Sequence, residues 1–225
     1  EVIEGYRTMG ALAEDEALRN LDGGTFEPPD HTRACRPFGE NCGFTLAEAS
    51  QFVVLFDDAL ALELGAQIYG SVADVFVNAD GFKKSIPGPG IGNYLTLGKA
   101  MGSVRAILGE QALKHHTYIQ AHGTGTPQNR VTESHIFDQL AQAFGIQDWP
   151  ITAIKAFVGH SLACASGDQI IAALGVWHDH IIPGIKTTGA IAEDVHQSNL
   201  DFLLEHRTVD PGHLQATFIN SKGFG

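Results

Sequence analysis

Two short β-prone runs, each halted by a glycine and a histidine, constrain the fold of this chain more than any other feature. The first, Thr117 to Ala121, stops at His122 and continues as Gly123-Thr124-Gly125-Thr126-Pro127, residues that turn a chain rather than extend a strand. The second follows the turn Asp148-Trp149-Pro150, begins at Ile151, carries Lys155, and gives way to Gly159-His160. A small-residue segment, Ser161 to Trp177, then reads as a buried helix. Neighbouring parallel strands have their carboxyl ends at one edge of a sheet, and ligands bind where the backbone leaves that edge. The pattern therefore predicts His122 and His160 at one crevice with Lys155 close by. Glycines there permit close backbone approach, and the Thr124 and Thr126 hydroxyls can donate or accept.

The rest of the chain alternates helix and strand patterns, as a layered α/β fold does. Residues 1–20 read as helical and 21–43 as a long irregular connection. Phe52 to Phe56 is nearly continuous apolar, which predicts a strand over 51–57 covered on both faces. A helix is expected from about Asp57, able to cap it, to Gly65, able to close it. Ala66 to Ala79 alternates loosely and predicts a long strand, and Tyr94 to Leu108 a helix. Val131 to Phe144 is amphipathic through Ile136, Leu140 and Phe144. Ile181 to Ile185 and Thr217 to Ser221 are expected strands.

Composition removes several classes of function. Fourteen basic against 26 acidic residues leave a net charge of −12, which argues against sequence-independent nucleic-acid binding and against an anionic membrane surface. No apolar run approaches the roughly 18 residues that span a bilayer. Three cysteines without CxxC spacing indicate neither a disulfide framework nor a cysteine zinc site, and a reducing cytoplasm is the expected compartment. Histidines are numerous, but His115 and His116 are adjacent, His178 and His180 lack a third ligand at recognised spacing, and no HExxH occurs, so no metal is expected. The glycine-rich stretch from Gly81 to Asn93 is interrupted by prolines, and Gly98-Lys99-Ala100 lacks the hydroxyl of a phosphate loop. A surface loop is expected there.

Several motifs in one order carry a family resemblance. The runs AHGTGTPQN, IKAFVGH with its small-residue helix, and INSKGFG, preceded by ACRPF and GFTLAEASQFVVLFDDALALELGAQIYG, resemble the C-terminal half of β-ketoacyl-acyl carrier protein synthases, condensing enzymes of the thiolase superfamily. The resemblance implies a layered α-β-α thiolase-like fold, with residues 1–50 ending an N-terminal half and crossing over. Residues 51–225 would form the C-terminal ketosynthase domain, cut at both ends. It implies an acyltransferase that performs decarboxylative Claisen condensation of a malonyl carrier with an acyl thioester, in fatty-acid or polyketide synthesis. The fragment alone would be inactive, because the nucleophilic cysteine belongs to the N-terminal half. A non-catalytic partner subunit like the chain-length factors is the alternative.

By the same resemblance, His122 and His160 hold the malonyl thioester and Lys155 gives electrostatic support. Thr124 and Thr126 contact the pantetheine arm, and Phe224 gates the acyl pocket beside the oxyanion hole. No cofactor is implied beyond the carrier's phosphopantetheine. Expected partners are an acyl carrier protein, docking near Lys83-Lys84 or Lys114, the N-terminal half, and a second copy in a homodimer. The chain departs from the family at Lys222, where an aromatic is usual, at Ala47-Glu48-Ala49-Ser50-Gln51, where glycines are usual, and at Gln169, beside Asp168, where glutamate is common. Cys164 lies four residues after His160, a spacing that would put both on one helical face and make it a substitute nucleophile. The resemblance instead aligns Cys164 with a small core residue.

Overall fold

The computed structural model describes residues 1–24, 28–80 and 90–223. Helices α1 (Val2–Thr8) and α2 (Asp15–Leu21) lead by a long irregular path to α3 (Asp58–Glu63), α4 (Ile91–Leu108) and α5 (Glu110–His115). Then come β1 (Thr117–Gln120), α6 (Pro127–Phe144), β2 (Trp149–Thr152), α7 (Lys155–Val158) and α8 (Ala165–Asp179). Four short strands complete the described chain: β3 (Ile181–Ile182), β4 (Leu200–Phe202), β5 (Arg207–Thr208) and β6 (Ala216–Ile219).

The main sheet has the order β4-β2-β1-β6 with every neighbour parallel. Ile119 lies opposite Ile151 on one side and Phe218 on the other, so the two histidine-bearing strands are adjacent as their pattern predicts. Side chains alternate across this sheet. Ile119, Ile151 and Phe218 join Leu97, Met101 and Val104 of α4 and Ile136, Phe137 and Ala141 of α6 in one core. Tyr118 points the other way and packs with Val176 of α8, Ile182 and Leu203. Helices thus cover both faces, an α-β-α sandwich, and each fully buried isoleucine contributes about 1.5–3 kcal/mol. Small turns end the helices where expected: Gly145 adopts φ 67° after α6 and Gly65 φ 62° after the α3 turn, which Asp57 caps through the Ala59 and Leu60 amides.

Two expected strands are absent. Residues 51–56 and 67–78 adopt no regular secondary structure, and none of the described backbone hydrogen bonds pairs either run with a strand. Their apolar side chains are open to solvent, Phe52 at 90% and Val77 at 88% exposure. A β-prone run becomes a strand only when another edge accepts its ladder. The second run is tethered instead to α4 by side chains: Asn78 Nδ2 donates to Thr96 Oγ1 at 3.0 Å and Ser103 Oγ to Asp74 Oδ2 at 3.1 Å. The expected strand at Ile181 shortens to two residues, paired antiparallel with β5. Among the described residues no helix is long and apolar enough to cross a membrane.

Candidate active site

His122 stands two residues beyond β1, in a turn that only glycine can continue. Gly123 has φ 49°, and a Cβ there would lie 2.5 Å from the Ala153 side chain. Glu133 of α6, wholly buried, holds this turn: its carboxylate accepts from the His122 amide at 2.7 Å and the Gly123 amide at 2.9 Å. The same carboxylate accepts from Asn129 Nδ2 at 2.9 Å and Asn220 Nδ2 at 2.8 Å, so its charge is dispersed over four donors.

His160 follows Gly159, which has φ 71°. The His160 backbone is gripped from both sides by the segment after Phe44: its amide donates to Thr45 O at 2.8 Å, and Ala47 N donates to its carbonyl at 3.0 Å. The two imidazoles meet edge to face, ring centroids 5.2 Å apart at 84°, and Phe44 flanks His160 at 5.1 Å.

Backbone amides fix both tautomers. Leu162 N donates to His160 Nδ1 at 3.0 Å, and Lys222 N donates to His122 Nδ1 at 3.3 Å. An Nδ1 that accepts leaves the proton on Nε2. Both rings therefore carry their proton on Nε2 as a donor.

Lys155 opens the four-residue α7 rather than a strand, and is only 2% exposed. Its ammonium donates to His122 O at 2.6 Å and stands 3.3 Å from His122 Nδ1. Burial pulls this lysine down to about 8, opposed by the nearby Glu133 carboxylate. The ring of His122 is held well below its usual value first by burial, then by Lys155 and His160. Burial and then Lys155 lower His160 to about 4. Both imidazoles are therefore neutral at pH 7.

Thr124 is buried and shares a 3.0 Å hydroxyl contact with the half-buried Thr126 on the turn into α6. His122, His160 and Lys155 thus lie together, and Thr124 and Thr126 follow on the turn that leaves His122. Phe224 and Lys83-Lys84 lie outside the described residues. Lys114 is engaged by Glu110 one helical turn away.

Cys164 does not share a helical face with His160. Leu162 has φ 57° and residues 162–164 form a 3-10 turn, so the four-residue spacing is not helical, and the thiol donates to Ala49 O at 3.1 Å. Cys35 is closer to the site, 3.7 Å from Thr124 O, but burial pushes its thiol up to about 12, far from a thiolate. Among the described residues no group of three His, Cys, Asp or Glu side chains is placed to hold one metal ion.

Residues 69–187, more than half of the chain, match the family model of the β-ketoacyl synthase C-terminal domain. The chain belongs to the β-ketoacyl synthase family. Over all 225 residues this synthase domain is 58% identical to the β-ketoacyl-[acyl-carrier-protein] synthase FabY of Pseudomonas aeruginosa, covering 35% of that protein. It is 30% identical to 3-oxoacyl-[acyl-carrier-protein] synthase 2 of Synechocystis over 89% of its length and 46% of that protein's. The crystal structure of the ketosynthase FabY from P. aeruginosa superposes with a TM-score of 0.94 over 99% of the chain and 34% of FabY. The synthase domain described here therefore spans between about a third and a half of these relatives.

Sequence reasoning missed Glu133, Asn220 and the bonding of Gln169. The α6 pattern was explained by its apolar positions, yet Thr132, Glu133, Ser134 and Asp138 of the same helix are also buried. The available signal was the Asn129 and Glu133 pair, four residues apart at the start of a helix that follows a histidine turn.

Proposed function

We propose that this chain supplies the decarboxylating half of a β-ketoacyl-acyl carrier protein synthase, an acyltransferase for fatty-acid or polyketide synthesis. The observation that carries this reading is the pair of neutral imidazoles, each with Nδ1 engaged by a backbone amide and Nε2–H free to donate. When the malonyl C–C bond breaks, carbon dioxide leaves and the electron pair passes into the thioester as an enolate. Two N–H donors at its oxygen stabilise that charge without protonating the carbon. The enolate carbon then attacks an acyl thioester on a cysteine of the N-terminal half, forming a C–C bond as the thiolate departs.

Lys155 supports the anion and holds the His122 carbonyl. Thr124 and Thr126 would position the pantetheine arm of the carrier, which brings both substrates, and Phe224 would gate the acyl pocket. Residues 1–50 serve as the end of the N-terminal half and crossover, and 51–225 as the C-terminal domain of a homodimeric enzyme. Similarity to acyl-carrier-protein synthases supports a carrier-linked substrate. A non-catalytic chain-length factor has no need of two oriented donors, so the site favours the enzyme.

The test is malonyl-thioester decarboxylation by the complete synthase. His122→Ala and His160→Ala are each expected to lose about 10²–10³ in rate while acylation of the nucleophilic thiol persists. A parent enzyme that leaves malonyl thioester intact would sink the reading.

A further inference from the structure

The side chain of Gln169 reaches three backbone carbonyls at once, which an ionised carboxylate in the same pose could not do. It projects from α8, wholly buried, and its amide nitrogen lies 2.8 Å from Gln120 O, 2.9 Å from Ala121 O and 2.9 Å from Asn220 O. Gln120 is the last residue of β1, and Ala121 and Asn220 are the first residues beyond β1 and β6, where the two strands leave the sheet. The last ladder bond between them, Asn220 N to Gln120 O at 3.0 Å, lies at the same level. Beyond it the strands part, into His122 on one side and Lys222 on the other.

The orientation of the amide is determined by its surroundings. Turning it over would set Oε1 against three carbonyl oxygens, so the nitrogen must face them. The opposite atom, Oε1, is buried without a hydrogen-bond partner. A buried acceptor left unpaired is unfavourable, and here it accompanies a nitrogen shared by three acceptors. The side chain is therefore held by what its N–H groups reach.

The consequence falls on His122. The Lys222 amide that donates to His122 Nδ1 lies two residues past Asn220, and Ala121 is the residue before His122. Asn220 is also tied to Glu133, the carboxylate that holds the His122 turn. Gln169 thus links both sides of the His122 contact from a third element.

We propose that Gln169 is a positioning residue that fixes the Lys222 amide against His122 Nδ1, and so keeps the Nε2–H of His122 aimed at the developing enolate. This rests on the decarboxylating role proposed above.

The experiment uses the complete synthase with Gln169→Met, which removes the donor at similar volume, and Gln169→Glu, which replaces it with a carboxylate. Gln169→Met is expected to lower kcat for malonyl decarboxylation about 10²-fold, as loss of one aligned donor does, with KM changed less than about threefold. Thiol acylation, which does not use His122 as an oxyanion donor, is expected to stay within about twofold. Gln169→Glu is expected to recover on acidification. A buried carboxyl facing carbonyls titrates above its usual range, and once protonated it donates one hydrogen bond. From pH 8 to 6 its kcat relative to the parent should rise at least about fivefold, while both histidines of the parent stay neutral.

Met and Glu variants that keep parental kcat at every pH would overturn the proposal. So would equal losses in decarboxylation and thiol acylation, which would mark a folding role, and if Gln169→Glu does not fold the Met variant decides alone. A parent enzyme inactive toward malonyl thioester would instead count against the decarboxylating role itself.

Discussion

Lys155 is a buried cation whose only hydrogen-bonding neighbour among the described residues is His122, and that arrangement gives the site two titrations of consequence. His160 titrates at about 4 in the fold but near 6.5 when unfolded. Between those values the unfolded chain binds a proton that the folded chain refuses, so stability falls as pH drops from about 6.5 towards 4. His122 adds to the same slope, since its value is also lowered. Lys155 titrates at about 8 in place of 10.5, so folding gains from that group as pH rises through this window. Activity should move the opposite way there, because the cation that favours the anion is lost. We expect kcat for decarboxylation to decline above about pH 8, and the decline to be absent in Lys155→Met; a parental alkaline limb in that variant would refute the assignment. These groups were legible in the sequence because each histidine sits where a β-prone run meets a glycine. Glu133 was not, since a buried carboxylate on an amphipathic helix has no local signature until its four donors are seen.

Strand ends, more than strands, decide whether those residues meet. β1 and β2 are four residues each and pair in parallel, and His122 and His160 come together because the chain turns after each of them. Gly159 has φ 71°, and a Cβ added there would come 2.9 Å from Thr45 O, the carbonyl that anchors the His160 amide. Gly159→Ala combines left-handed strain of about 1–2 kcal/mol with that clash. The variant is expected to unfold at lower denaturant by more than about 1 kcal/mol and to lose decarboxylation; unchanged unfolding would mean the turn is not strained. The pairing of β1 with β2 was readable from pattern, whereas α7 was not. Lys155 looked like strand because Ala153, Ile154, Ala156, Phe157 and Val158 are apolar. The chain turns helical there because the Ala156 and Phe157 amides bond back to Ala153 and Ile154.

At the scale of the molecule the same limit explains the two missing strands. Residues 51–56 and 67–78 have the composition of strands and were read as strands, the first as covered on both faces, but a ladder needs a second edge that composition does not specify. Exposed along these runs are Phe52, Val54, Leu55, Val72, Val75 and Val77. β6, meanwhile, ends the sheet order with an open side among the described residues. An open parallel edge and a long exposed apolar run are each a template for association with another chain. The net charge of −12 opposes such association by repulsion between copies, and salt screens that repulsion within about 10 Å at 0.1 M. The 225-residue chain prepared alone is therefore expected to bind an apolar dye and to self-associate more strongly in 0.5 M than in 20 mM salt. Light scattering checks this, and Val54→Lys with Val77→Lys, both at exposed positions, should weaken association without shifting the unfolding midpoint. A chain that stays monomeric and dye-silent at high salt would show that this face is covered from within.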